Sequence, residues 1–144
     1  MSEPTFIEGR GRGGKGIDST PSDVLLANTT LISGYNLKLV VEMNRLFPVA
    51  QSGSPDANST FVDYGETVVT NLEEYRRINQ NLMGRNDQGA RERTVEDSFH
   101  MVKATGYLVE LLDLYSDVCG QYIGQYSLSD RLLKLKGRVD KLRE

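Results

Sequence analysis

Residues 94–126, TVEDSFHMVKATGYLVELLDLYSDVCGQYIGQY, constrain the fold more than any other stretch of the chain. Met101, Leu108, Leu112, Tyr115, Cys119 and Tyr122 recur at spacings of three, four and seven, and Val102, Val109, Leu111, Val118 and Ile123 widen that stripe. A helix with so broad an apolar face has to be covered by several others. The expectation is an all-α, four-helix bundle-like domain with this helix at its centre.

Helix-start signals divide the rest. A hydroxyl followed three residues later by aspartate occurs at Thr20–Asp23, Thr60–Asp63, Thr94–Asp97 and Ser127–Asp130. In such a pair the hydroxyl accepts from the backbone N–H three residues on, and the carboxylate favours the positive end of the helix dipole. The four signals predict helices over 21–47, 61–83, 94–126 and 127–144, with Pro21 at a first helical position and Pro48 stopping the first helix. The first carries Leu25, Ile32, Leu39, Met43 and Leu46 along one side. The second carries Phe61, Val68, Leu72, Tyr75 and Leu82, with Val69 and Ile78 beside them. By composition 49–59 reads as a loop and 84–93 as a charged, solvated turn. Gly34, inside the first helix, predicts a kink or a close helix contact. Gly120 and Gly124 predict an end or bend that leaves the last helix free to depart from the core.

The last segment differs in kind. Leu128, Leu132, Leu135, Val139 and Leu142 form a narrow seam alternating by four and three, flanked by Arg131, Lys136, Arg138 and Arg143. All charged flanks are basic, which disfavours a parallel homodimer and calls for a surface with acid groups. The seam is too short to stand alone. The preferred dock is the acidic remainder of its own domain, although Glu110, Asp113 and Asp117 lie away from the main stripe of their helix and are poorly placed to meet it. The alternative dock is a groove on another subunit. Residues 127–144 hold six basic side chains against three acidic ones, about +3, and the net charge of −3 then leaves about −6 for the remainder.

Residues 1–19 interleave Gly9, Gly11, Gly13, Gly14 and Gly16 with Arg10, Arg12 and Lys15, and form the expected arm. It resembles a short arginine-glycine segment, but Glu3 and Glu8 dilute its charge, and a negative whole chain has no general attraction for nucleic acid. GRGRGGKG lacks the spacing and the Ser/Thr of a phosphate loop.

Reactive groups are scarce. His100 is the single histidine, so neither a paired-histidine zinc motif nor a di-iron bundle site is expected from Asp97-x-x-His100. Cys119, the single cysteine, excludes an intramolecular disulfide and reads as a core residue. Glu110, Asp113 and Asp117 read as a solvated face rather than a cation site, and no cofactor is expected. No run approaches the roughly 20 apolar residues of a membrane span, and the N-terminus has no signal-peptide core, which predicts an intracellular protein. The sequons at Asn28 and Asn58 are then chance matches.

The function expected is therefore structural: a small non-enzymatic subunit of a large multi-chain complex, such as a minor component of a virus particle. Its partner contacts would be Arg10, Arg12 and Lys15 of the arm and Leu128, Arg131, Leu132, Leu135, Lys136, Arg138, Val139, Leu142 and Arg143 of the last helix. The alternative is a nucleic-acid-associated protein using the same two basic elements.

Overall fold

The computed structural model describes residues 19–144, so Arg10, Arg12, Lys15 and nearly all of the expected arm lie outside it. The described chain is all-α and bundle-like, with no strand among the described residues. It comprises α1 (Ser22–Gln51), α2 (Pro55–Met83), α3 (Gln88–Val118), the short α4 (Gly120–Gln125) and α5 (Ser129–Leu142).

The centre is α2 rather than the 94–126 segment. Thirteen residues of α2 are buried against seven of α3. Phe61, Val62, Val68, Val69 and Leu72 occupy adjoining faces of α2, and all four other helices pack on it. On α3, Leu108, Leu112, Tyr115 and Cys119 are buried as their stripe requires, but Val102 and Val118 face solvent. Burial raises the pKa of the Cys119 thiol, as a core role implies. One apolar cluster joins Met43, Phe61, Leu112, Tyr115 and Leu135, and a smaller one joins Leu25, Ile32, Tyr75, Ile78, Leu82 and Ala90 at the other end of the α1–α2 pair.

The helix starts differ from those expected, for local chemical reasons. Thr60–Asp63 and Thr94–Asp97 lie inside helices, and Thr94 Oγ1 donates to the carbonyl of Ala90 at 2.7 Å, the bond a mid-helix threonine makes. The working caps are Ser54, whose hydroxyl accepts from Ala57 N at 3.2 Å, and Asp87, whose carboxylate accepts from Ala90 N at 3.1 Å. Neither α1 nor α5 has a side-chain cap bond, and Ser127 adopts a φ of 59°. The predicted loop 49–59 shrinks to a turn, because Ser54-Pro55-Asp56 is itself a helix start, with a hydroxyl cap, proline in the first turn and an acid beside it. Pro48 sits within α1, which runs on to Gln51 with Ala50 buried at its end. The predicted helix over 94–126 breaks at Cys119, and α5 folds back onto α2 and α3 instead of departing.

One window of α1 is long and apolar enough, by length and composition, to cross a membrane, a test that core helices of soluble proteins also pass. Eight α1 residues are buried here, and the surplus apolar side chains lie on its open side.

Two glycines differ in what they permit. At Gly34 the helix is continuous and an added Cβ would meet nothing within 4 Å, so neither a kink nor a close contact explains it. At Gly53 φ is +100° and an added Cβ would lie 3.0 Å from the Tyr122 ring. Gly34→Ala should therefore raise stability by about 1 kcal/mol, a Tm gain of about 3 °C. Gly53→Ala should lower it by about 1–2 kcal/mol. Thermal unfolding followed by circular dichroism reads both, and opposite signs would contradict this account of the two positions.

Candidate functional site

The basic helix meets its own chain. Leu128, Leu132, Leu135, Val139 and Leu142 are all buried in the principal core, and α5 packs on α2 and α3. Its cations find acids there. Arg131 pairs with Asp63 and Glu66, Arg138 bonds Glu73 and, at 2.9 Å, the Thr70 hydroxyl, and Lys136 lies 3.3 Å from Asp113. Arg76 returns the contact, donating to the carbonyl of Lys141 at 2.7 Å. Glu66–Arg131, Glu73–Arg138 and Arg76–Lys141 share a single sequence offset, so α2 and α5 run parallel. The hydrogen bond to Glu66, then that to Asp63, makes the Arg131 guanidinium still harder to deprotonate, and Glu73 acts likewise on Arg138. Arg143 remains exposed.

The acids that receive α5 belong to the remainder of the domain, and three of the four, Asp63, Glu66 and Glu73, lie on α2. One expectation changes. Asp113, expected to be poorly placed, does reach Lys136. The missed signal is periodic: acids at 66 and 73 match arginines at 131 and 138 in steps of two helical turns.

The open feature of the molecule lies elsewhere. Between α1 and α3 runs a groove of about 780 Å³. Leu37, Val40 and Val41 stand on its α1 wall, Met101, Ala104 and Tyr107 on its α3 wall, and Val68, Leu72 and Tyr75 of α2 beneath. The upper walls are exposed to water: Leu37 is 67% accessible, Val41 43% and Tyr107 46%. At one end the Asn44 amide donates to the Tyr107 hydroxyl at 3.0 Å, and towards the other Arg93 donates to Thr30 Oγ1 at 3.4 Å. Polar groups low in the groove are already used. Asn36 donates to the Val68 carbonyl at 3.3 Å and accepts from Asn71 at 2.9 Å, and the Tyr75 hydroxyl donates to the Asp97 carbonyl at 3.3 Å. Burial, then the charge of Asp97, raises the pKa of Tyr75.

Its ionisable lining residues apart from Tyr75 and Tyr107 are Asp97, His100 and Lys103, all on the α3 wall. Asp97 lies 4.0 Å from Arg93, whereas Lys103 is exposed and makes no ion pair among the described residues. No group of three or more His, Cys, Asp or Glu placed to share a metal ion occurs among the described residues. The arrangement offers shape and apolar contact rather than a reacting group. Leu37, Val40 and Val41 fall outside the α1 stripe read from the sequence, and a second apolar face on that helix was the signal for the groove. The amides of Asn28 and Asn58 are buried, so neither sequon can carry a glycan in the folded chain.

The seam and its charges contribute unequally to holding α5. Exposed ion pairs stabilise by about 0–1 kcal/mol each, whereas truncating a buried leucine costs about 2–5 kcal/mol. Arg131→Ala with Arg138→Ala should cost about 1 kcal/mol together, and less in 1 M salt. Leu135→Ala should cost about 3 kcal/mol whatever the salt. Urea unfolding at low and high salt measures both, and a larger loss from the arginine pair would reverse the ranking.

Neither a protein-family model, nor a curated protein, nor a solved structure matches this chain.

Proposed function

We propose that the chain is a non-enzymatic structural subunit of a multi-chain complex, and that it meets a neighbouring protein through the α1–α3 groove. The observation that carries this reading is the wall of Leu37, Val41 and Tyr107, left open to water above an otherwise covered interior. Scattered surface hydrophobes are ordinary, but apolar side chains gathered along one concavity are characteristic of binding sites. The last helix is less suited to the role first expected of it, because its apolar seam and three of its cations are engaged within the chain. The same engagement weakens the nucleic-acid alternative, since Arg131, Lys136 and Arg138 would have to give up carboxylates to contact phosphate. Arg10, Arg12 and Lys15 stay in the proposal as a second contact and lie outside the described residues.

A photo-cross-linking residue placed at 37 and, separately, at 133 tests it, because Leu133 is 72% accessible on the outer side of α5. In cells of the source organism, the expected result is a discrete product of higher mass from position 37, lost when Val41→Arg is added, and none from position 133. Cross-linking from 133 alone would return the contact to the last helix and defeat the groove reading.

A further inference from the structure

Resting on the reading that a neighbour covers the α1 side of the groove, we infer that this neighbour is a second copy of the chain, its α1 packed antiparallel on the first about Gly34. Gly34 has no explanation within its own chain. Glycine in mid-helix is destabilising relative to alanine, and nothing lies within 4 Å of a Cβ added there. It is exposed, and at 3.6 residues per turn it stands opposite the buried Leu25, Ile32, Leu39 and Met43, at the crest of the helix. A bare backbone at such a crest lets another helix approach closely.

The residues around Gly34 complement themselves. Two antiparallel copies centred there bring each residue before Gly34 level with the one equally far after it in the other copy. Leu31 comes level with Leu37 of the second copy, Ala27 with Val41 and Asp23 with Arg45, at three, seven and eleven residues from the centre. All six are exposed. From 24 to 37 α1 carries no charged side chain, so the middle of the contact is uncharged and each end closes on an acid and a base. The same pairs recur at both ends, as a two-fold interface requires, whereas a parallel pair would set Asp23 against Asp23 and Arg45 against Arg45. Four residues out, Lys38 lies level with Thr30, whose hydroxyl already donates to the Leu26 carbonyl at 3.1 Å. Arg45 lies 2.9 Å from Glu42 of its own helix, and its side chain, 73% exposed, keeps donors for a second carboxylate. From Asp23 to Arg45 the contact runs about 33 Å, which is small for a specific interface and makes the dimer a reversible, micromolar one.

Sedimentation velocity of the full chain over a range of concentrations tests the inference. The expected result is a monomer–dimer equilibrium whose dissociation constant rises about tenfold or more in Gly34→Leu. That variant folds, because leucine suits a helix and its Cβ meets nothing, so weaker pairing should accompany a more heat-stable monomer. Arg45→Asp should weaken the dimer about fivefold, and adding Asp23→Arg should restore it, because the charges are then exchanged rather than removed. A chain that is monomeric at every concentration, a dimer indifferent to Gly34→Leu, or no rescue by the exchange would overturn the inference. Monomers that instead bind phosphatidylglycerol vesicles, and lose that binding in Val41→Arg, would overturn it in favour of a lipid surface. If the chain is monomeric while cross-linking from position 37 persists, a different protein covers that side and only its identity is wrong. Loss of that cross-link as well would remove the underlying reading.

Discussion

The amide of Asn58 is the point on which the packing of three helices depends. It is fully buried, donates to the carbonyls of Ala50 at 3.0 Å and Ser54 at 2.8 Å, and accepts from the Tyr115 hydroxyl at 2.8 Å. It thereby joins the end of α1, the cap of α2 and the last turn of α3. Tyr115 stacks on Phe61 with ring centres 4.2 Å apart, and Phe47 meets both rings edge-on. Burial, then the neighbouring Cys119, raises the pKa of the Tyr115 hydroxyl, so it remains a donor. A buried amide with donors and acceptor satisfied costs little, whereas losing one partner would strand the others at about 1–3 kcal/mol.

Further along, the polar ties become pairwise, and the bundle opens. Asn71 donates to the Asn36 amide oxygen and Asn36 donates to the Val68 carbonyl, which fastens α1 to α2. There α1 and α3 meet across the groove through Asn44 with Tyr107 and through Thr30 with Arg93. The surface of α2 between them is covered only by the lower walls. Asn79, another buried amide of α2, has no hydrogen-bond partner among the described residues for its side-chain nitrogen or oxygen. On the opposite side α5 closes the structure with its leucine seam, and Gly65 lets it approach closely: a Cβ there would come within 3.0 Å of the Leu135 side chain. The covered side and the open side of α2 thus have different causes.

The sequence made the helical class, the burial of the Leu108–Cys119 stripe and the docking seam legible, because each rests on apolar periodicity within one segment. Misread boundaries trace to a pattern with two meanings. A hydroxyl with an acid three residues on marks a helix start at some positions, while at Thr94 the hydroxyl bonds back to the preceding turn. The central place of α2 was hidden for a related reason: Asn58, Asn71 and Asn79 count as polar in any stripe, yet all three are buried and widen its inward face. The ion pairs of α5 and the groove depend on how separate helices are set against one another. Residue spacing within either helix does not contain that information, although the matched steps of 66 and 73 with 131 and 138 were a readable trace of it.

The central claim is that the open face between α1 and α3, rather than the basic last helix, is the surface a neighbour covers. Covalent side-chain footprinting of the free chain and of the chain in its native assembly measures this directly. The account predicts that labelling of Leu37, Val41 and Tyr107 falls on assembly while Leu133 is labelled equally in both states. Unchanged labelling along the groove with protection of Leu133 would contradict it.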